Sequence, residues 1–137
     1  MKILVVHRQK KTVNVIASVL SEDKPVVLQT ESGLDGLLTS RIEHFDLIIC
    51  GTDLPVVTGF ELIRSIRTNT INRDTPVILI TDTAHSDLKF NSLVKSLGVE
   101  AILPVSEVED RLKAAVKNLN FSPHSNPNDI FSGSRVN

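Results

Sequence analysis

The sequence predicts an α/β fold, a five-stranded parallel sheet between two layers of helix. Short, continuous apolar runs alternate with stretches of helical period. Turn and capping residues punctuate the breaks, and 137 residues suffice for one such unit. Lys2 to Val6 reads as the first strand, and Val13, Ile16, Ala17 and Leu20 follow at i, i+3, i+4 and i+7. Val26 to Gln29 is a second strand. Ser32 and Gly33 then open a helix whose expected core stripe is Leu34, Leu37, Leu38 and Ile42. Leu47 to Cys50 is a third strand; Pro55 to Gly59 forms a loop, and Phe60, Leu62, Ile63 and Ile66 mark a third helix. Asn69 to Thr75 is a polar connection. Pro76 introduces a fourth strand, Val77 to Ile80, and Asp82 to Ser86 is a loop whose Ser86 could cap the next helix. That helix carries Phe90, Leu93, Val94 and Leu97. Ala101 to Leu103 is the fifth strand, and Val108, Leu112, Ala115, Val116 and Leu119 mark the last helix. The continuous apolar runs suit strands covered on both faces. From Asn118 the composition turns to Asn, Ser, Pro and Gly, so residues 1–119 read as the domain and 120–137 as a flexible tail.

Composition narrows the function. The chain is 41% hydrophobic and 23% charged with a net charge of −1, enough for a core and without bulk attraction to nucleic acid or anionic membrane. One cysteine excludes an internal disulfide or a multi-cysteine zinc site, and no apolar run approaches a membrane span or a signal peptide. A cytoplasmic location is expected. Glycine-rich phosphate cradles, a serine-nucleophile elbow and the His-Glu-x-x-His pattern are absent. Arg8, Lys10 and Lys11 form only a small basic spot, and no Tyr or Trp offers a base-stacking platform. No enzyme activity and no direct nucleic-acid contact are expected.

In an open parallel sheet, ligands bind outside the carboxyl ends of the strands. The informative residues are therefore His7 and Arg8; Gly51, Thr52 and Asp53; Thr81 and Asp82; and Pro104, Val105 and Ser106.

Three segments carry a resemblance. Asp46 to Pro55 followed by Gly59-Phe60-Glu61-Leu62 resembles the third strand and loop of response-regulator receiver domains, the CheY-like family. Pro76 to Thr81 resembles their fourth strand and Gly98 to Leu103 their fifth, in register over about residues 1–119. The resemblance implies the flavodoxin-like strand order 2-1-3-4-5. It also implies an acidic pair after the first strand that binds Mg²⁺ with a phospho-accepting Asp after the third. A Lys-Pro after the fifth strand, a Thr or Ser after the fourth and an aromatic in the fifth complete the set. Carried onto this chain, the acidic pair falls on His7 and Arg8, the acceptor on Gly51, the Lys and Pro on Val105 and Ser106, and the aromatic on Ile102; Thr81 alone remains.

That replacement set predicts a degenerate receiver. Mg²⁺ requires hard oxygen ligands, and a guanidinium in the same place repels a dication. Acyl-phosphate formation needs a carboxylate nucleophile, which glycine cannot supply. No cofactor, no resident metal and no Mg²⁺ binding are expected.

Alternatives attach to particular residues. Arg8 could hold Asp53 or Asp82 in a salt bridge where metal would sit, or be a solvated loop arginine. Asp53 could be a relocated acceptor acting with Asp82, or an exposed loop carboxylate; Asp82 could close the pocket or point outward. His7, Asp53 and Asp82 could gather into a transition-metal site. The cleft at Gly51, with Val6, Thr81 and Val105, could take a small molecule. Cys50 is expected in the core; His44, His85 and His124 read as loop or tail residues.

The expected function is a pseudo-receiver in bacterial signal transduction, a phosphorylation-independent interaction module. Its partner would be a histidine kinase, another regulator or an output protein. By the resemblance, its contact face is the fourth helix, fifth strand and fifth helix, with Lys89, Lys95, Ile102, Glu107, Arg111 and Lys117 setting partner choice.

Overall fold

The computed structural model describes residues 1–82 and 88–119. His85, Ser86, His124 and the expected tail from residue 120 lie outside the described residues, as does the side chain of Lys89.

Five strands form one parallel sheet: β1 (Lys2–Val6), β2 (Val26–Thr30), β3 (Leu47–Gly51), β4 (Val77–Thr81) and β5 (Ala101–Pro104). Their order is β2-β1-β3-β4-β5. The helices are α1 (Lys10–Val19), α2 (Gly33–Ile42), α3 (Gly59–Asn69), α4 (Leu88–Ser96) and α5 (Val108–Lys117). The sheet's register pairs Val6 with Cys50, Gly51 with Ile80 and Thr81 with Pro104, so the strand ends of the expected site lie side by side.

Alternate residues of each strand feed two apolar clusters, as period-2 side chains must. Ile3, Val5, Ile49, Ile78 and Leu103 pack with Ile16 of α1 and Leu112 of α5. Leu4, Val6, Ile48, Cys50, Val77 and Leu79 pack with Leu62, Ile63 and Ile66 of α3 and Val94 of α4. The central strands β3 and β4 are buried at every residue, which is why they read as continuous apolar runs. Edge position alters β2, where Val26 is 60% exposed and Gln29 is also out, so coverage on both faces fails there.

α2 departs most from the sequence pattern. The expected stripe is not the buried face: Leu34, Leu38 and Ile42 are 43%, 49% and 78% exposed, and Leu37 is half-buried. Gly33, Gly36 and Ser40 face inward instead. A Cβ on Gly36 would come within 2.8 Å of a Val6 methyl and 3.4 Å of Leu62 Cδ2, so only glycine lets this helix lie so close to β1 and α3. Large side chains have no room beneath it and turn outward.

The polar connection after α3 is also more than a linker. The Phe45 amide donates to Asn72 Oδ1 (2.8 Å), and Asn72 Nδ2 donates to the carbonyls of Ser40 (2.6 Å) and Glu43 (2.8 Å). Asn72 is fully buried, and it ties the end of α2 to the start of β3 by satisfying backbone groups that have no ladder partner. Arg67 does the same on the other side. Its guanidinium donates to the carbonyls of Leu97 (3.2 Å), Arg73 (3.0 Å), Thr75 (2.6 Å) and Gly98 (3.0 Å). Gly98 has φ +66°, the left-handed geometry that closes α4.

Candidate functional site

His7 and Arg8 follow β1, Gly51 ends β3, and Thr81 ends β4 with Asp82 beyond it. His7 is only 5% exposed. Its imidazole lies over Gly51: a Cβ on that glycine would fall 2.9 Å from His7 Cδ2 and 3.2 Å from Nε2. The ring therefore fills the space that a side chain at position 51 would need.

The Gln9 amide donates to His7 Nδ1 at 3.1 Å, which leaves the neutral ring's proton on Nε2, the atom beside Gly51. Burial lowers the His7 pKa below its ordinary 6.5; the Asp82 charge raises it and Arg8 lowers it further. The Gln9 contact has no signature in the sequence; a loop glutamine offers no pattern to find.

Arg8 and Asp53 form an ion pair, NH2 to Oδ2, at 3.2 Å, with both side chains about half exposed (50% and 58%). Such a pair is screened by water and contributes little stability, but it sets a positive group against the one loop carboxylate after β3. Asp82 is exposed at the mouth of the site. Thr81 is 1% exposed at the end of β4.

Among the described residues, no three His, Cys, Asp or Glu side chains gather as a metal-binding group, and His7, Asp53 and Asp82 do not converge. The residues where the resemblance places a Mg²⁺ site do not fit that ion. Its carboxylates are replaced by an imidazole, a guanidinium and a glycine, and Asp53 is held by Arg8.

Val105 follows β5 and is half-buried. It borders a cavity of about 310 Å³ on the α1 side with Thr12, Val15 and Val108.

The loop after β3 holds a strained turn. The Val57 amide donates to the Pro55 carbonyl at 2.7 Å, and Val56 between them has φ +67°, which is costly for a β-branched residue. The loop then enters α3 through a capping box. The Glu61 amide donates to Thr58 Oγ1 (3.2 Å), and the Thr58 amide donates to Glu61 Oε1 (3.0 Å).

On the expected contact face, Lys95, Arg111 and Lys117 are exposed and Ile102 is half-buried. Glu107 accepts from Arg111 at 2.6 Å, so these two charges face each other along α5. Cys50 lies fully buried, and burial pushes its thiol up to about 12, far from a reactive thiolate. His44 is exposed in a loop, as its sequence position implies.

The family model for the response regulator receiver domain matches residues 3–117. The chain belongs to the response regulator receiver domain family. Over 81 residues it is 35% identical to the transcriptional regulatory protein CusR of Escherichia coli, a match covering 59% of this chain and 35% of CusR. It is 27% identical over 89 residues to the cell cycle transcriptional regulator CtrA of Caulobacter vibrioides, covering 65% of this chain and 38% of CtrA. The matched stretch thus spans little more than a third of either relative. The chemotaxis response regulator CheY4 of Vibrio cholerae shares the fold, with a TM-score of 0.69 and 20% identity, covering 83% of this chain and 97% of that one. This receiver domain has no helix among its described residues that is long and apolar enough to cross a membrane.

Proposed function

We propose that this receiver domain is a pseudo-receiver that does not take part in phosphotransfer and acts as an interaction module in bacterial two-component signalling. One observation carries the reading: the His7 imidazole fills the space at Gly51, the position where the resemblance places the acceptor carboxylate. Phosphoryl transfer to a carboxylate requires that nucleophile, a cation to neutralise charge, and room for the donor. Here the nucleophile is a glycine, the nearest cation is the Arg8 guanidinium paired to Asp53, and a neutral imidazole fills the room.

A receiver switches between two states only when a ligand favours one of them. Without the phosphoryl group the domain keeps one state, and regulation passes to its abundance and its partner. That partner is a signalling protein: a histidine kinase, another regulator or an output protein. The contact face is α4, β5 and α5, with Lys95, Ile102, Glu107, Arg111 and Lys117 offering charge and apolar contact. No direct nucleic-acid contact, no membrane association, no enzymatic activity and no cofactor belong to this reading, and the protein works in the cytoplasm.

An amide NMR spectrum titrated with Mg²⁺ and then beryllofluoride, a phosphoryl mimic, tests it. The expected result is no saturable shift at Gly51, Asp53 or Thr81. Saturable shifts that need both reagents would overturn the reading and make Asp53 the acceptor.

A further inference from the structure

Seven large hydrophobic side chains are exposed among the described residues, and five of them belong to one helix or its two ends. Leu34, Leu38 and Ile42 run at i, i+4 and i+8 along the outer side of α2. At its N-terminal end, Gly33 is pressed against the backbone of Val57, which puts the 83%-exposed Val56 beside the helix start. At its C-terminal end, Asn72 bonds the carbonyls of Ser40 and Glu43, which puts the 53%-exposed Ile71 beside the helix end. An apolar strip of this length is unusual on a surface that stays in water.

The strip has a self-complementary charge pattern. Asp35 and Arg41 are both exposed, and neither has an ion-pair partner among the described residues. They stand three residues before and three residues after Leu38. Leu34 and Ile42 stand four before and four after it. When two such helices pack antiparallel about a two-fold axis at Leu38, residue 38−k of one lies level with residue 38+k of the other. Leu34 then meets Ile42 of the second copy, Leu38 meets Leu38, and Asp35 lies level with Arg41 of the second copy, twice over. A parallel pairing would instead set Asp35 against Asp35 and Arg41 against Arg41.

From this pattern we infer that α2 is a homodimerisation face, on which a second copy of this chain packs its own α2 antiparallel. The contact is one three-turn helix and its flanks, smaller than the roughly 800 Å² per partner of a standard stable interface, so the dimer is weak. Its dissociation constant falls in about the micromolar to millimolar range. The α4-β5-α5 surface stays uncovered in this arrangement, which therefore does not depend on the phosphate-blind reading.

Analytical ultracentrifugation of the full chain, from about 0.01 to 1 mM, reads the dimer directly across this affinity range. The expected result is a concentration-dependent dimer that Leu38→Lys weakens at least about tenfold. Asp35→Arg and Arg41→Asp should each weaken it as well, since each places like charges at both contacts. Mixed together, these two variants should dimerise with one another and not with themselves, because every contact in the mixed pair joins Arg to Asp. Circular dichroism checks that each variant is folded. Ile42→Lys replaces Leu38→Lys if the latter does not fold. A wild-type protein that is monomeric throughout, a dimer that survives Leu38→Lys and Ile42→Lys, or charge variants that do not pair when mixed would each overturn the inference.

Discussion

α2 and α3 lie on the same face of the sheet and against each other, yet they are attached in opposite ways. α3 buries Leu62, Ile63 and Ile66 completely and turns Glu61 and Arg64 outward. α2 buries two glycines and a serine and turns Leu34, Leu38 and Ile42 outward. One helix is held by the volume it inserts, the other by how closely its backbone approaches Val6 and Leu62. A helix of small residues on its inner side can be as firmly seated as a helix of large ones. Its apolar side chains are then free for another purpose.

Substitutions sharpen the contrast in order of size. In α3, Ile66→Ala should destabilise by about 2–5 kcal/mol, since it removes buried atoms and leaves a cavity; urea unfolding measures it. In α2 the harmful change runs in the other direction. Gly36→Val should cost about 1–3 kcal/mol, because its side chain meets the Val6 methyls at a distance no Cβ tolerates. If Gly36→Val proved neutral, the close approach of α2 would be wrong. At the start of α3, Thr58→Ala removes one half of the capping box and should cost about 0.5–2 kcal/mol. Thermal melts would report that loss, and Thr58→Ser should recover most of it.

Gly51 is another glycine that admits a neighbour, here the His7 imidazole. His7 is depressed by burial below its unfolded value of 6.5, so between the folded and unfolded pKa the unfolded chain binds more protons. Stability from this group is complete above about pH 6.5 and falls as the pH drops toward the folded value. The melting temperature should decline on acidification from pH 7, and His7→Gln should flatten that decline. An equal slope in both proteins would show that His7 does not titrate as its burial requires. Smallest of all, Leu38→Lys on the outer side of α2 should change monomer stability by no more than about 0.5 kcal/mol. The contrast with Gly36→Val, two residues away, would separate the inner and outer sides of a single helix.

Much of the fold is legible before any coordinates. The strands β1, β3 and β4 are apolar runs because both their faces are covered, and their ends fall within a residue of where the run stops. The helical periods of α1 and α5 name the residues they bury: Val13 and Ile16, then Val108, Leu112 and Val116. Ser32 is the cap its position suggests, accepting from the Asp35 amide at 3.1 Å. The same rule misleads at α2. Periodicity weighs side-chain size, and it ranks Leu34, Leu38 and Ile42 above the glycines that the packing selects.

For the site, the sequence named the strand-end residues His7, Arg8, Gly51, Asp53 and Thr81. Chain order and the carboxyl-end rule suffice for that, because each residue follows an identifiable strand. What each residue does there was not legible. That Arg8 chooses Asp53 rather than Asp82 and that His7 folds inward over Gly51 depend on distances between segments far apart in the chain, and that Gln9 fixes the His7 tautomer depends on the backbone path just after β1. The buried Asn72 and the half-buried Arg67 were invisible as hubs for the same reason. Their partners are chiefly backbone amides and carbonyls, which no sequence pattern distinguishes. The sequence by itself determined the alternation of strand and helix, the family and the residues at the sheet's carboxyl edge, because these follow from local periodicity and order. Only the tertiary structure decided which face of α2 turns inward and which side chain occupies the space at Gly51, because both are questions of volume between neighbours that meet only when the chain is folded.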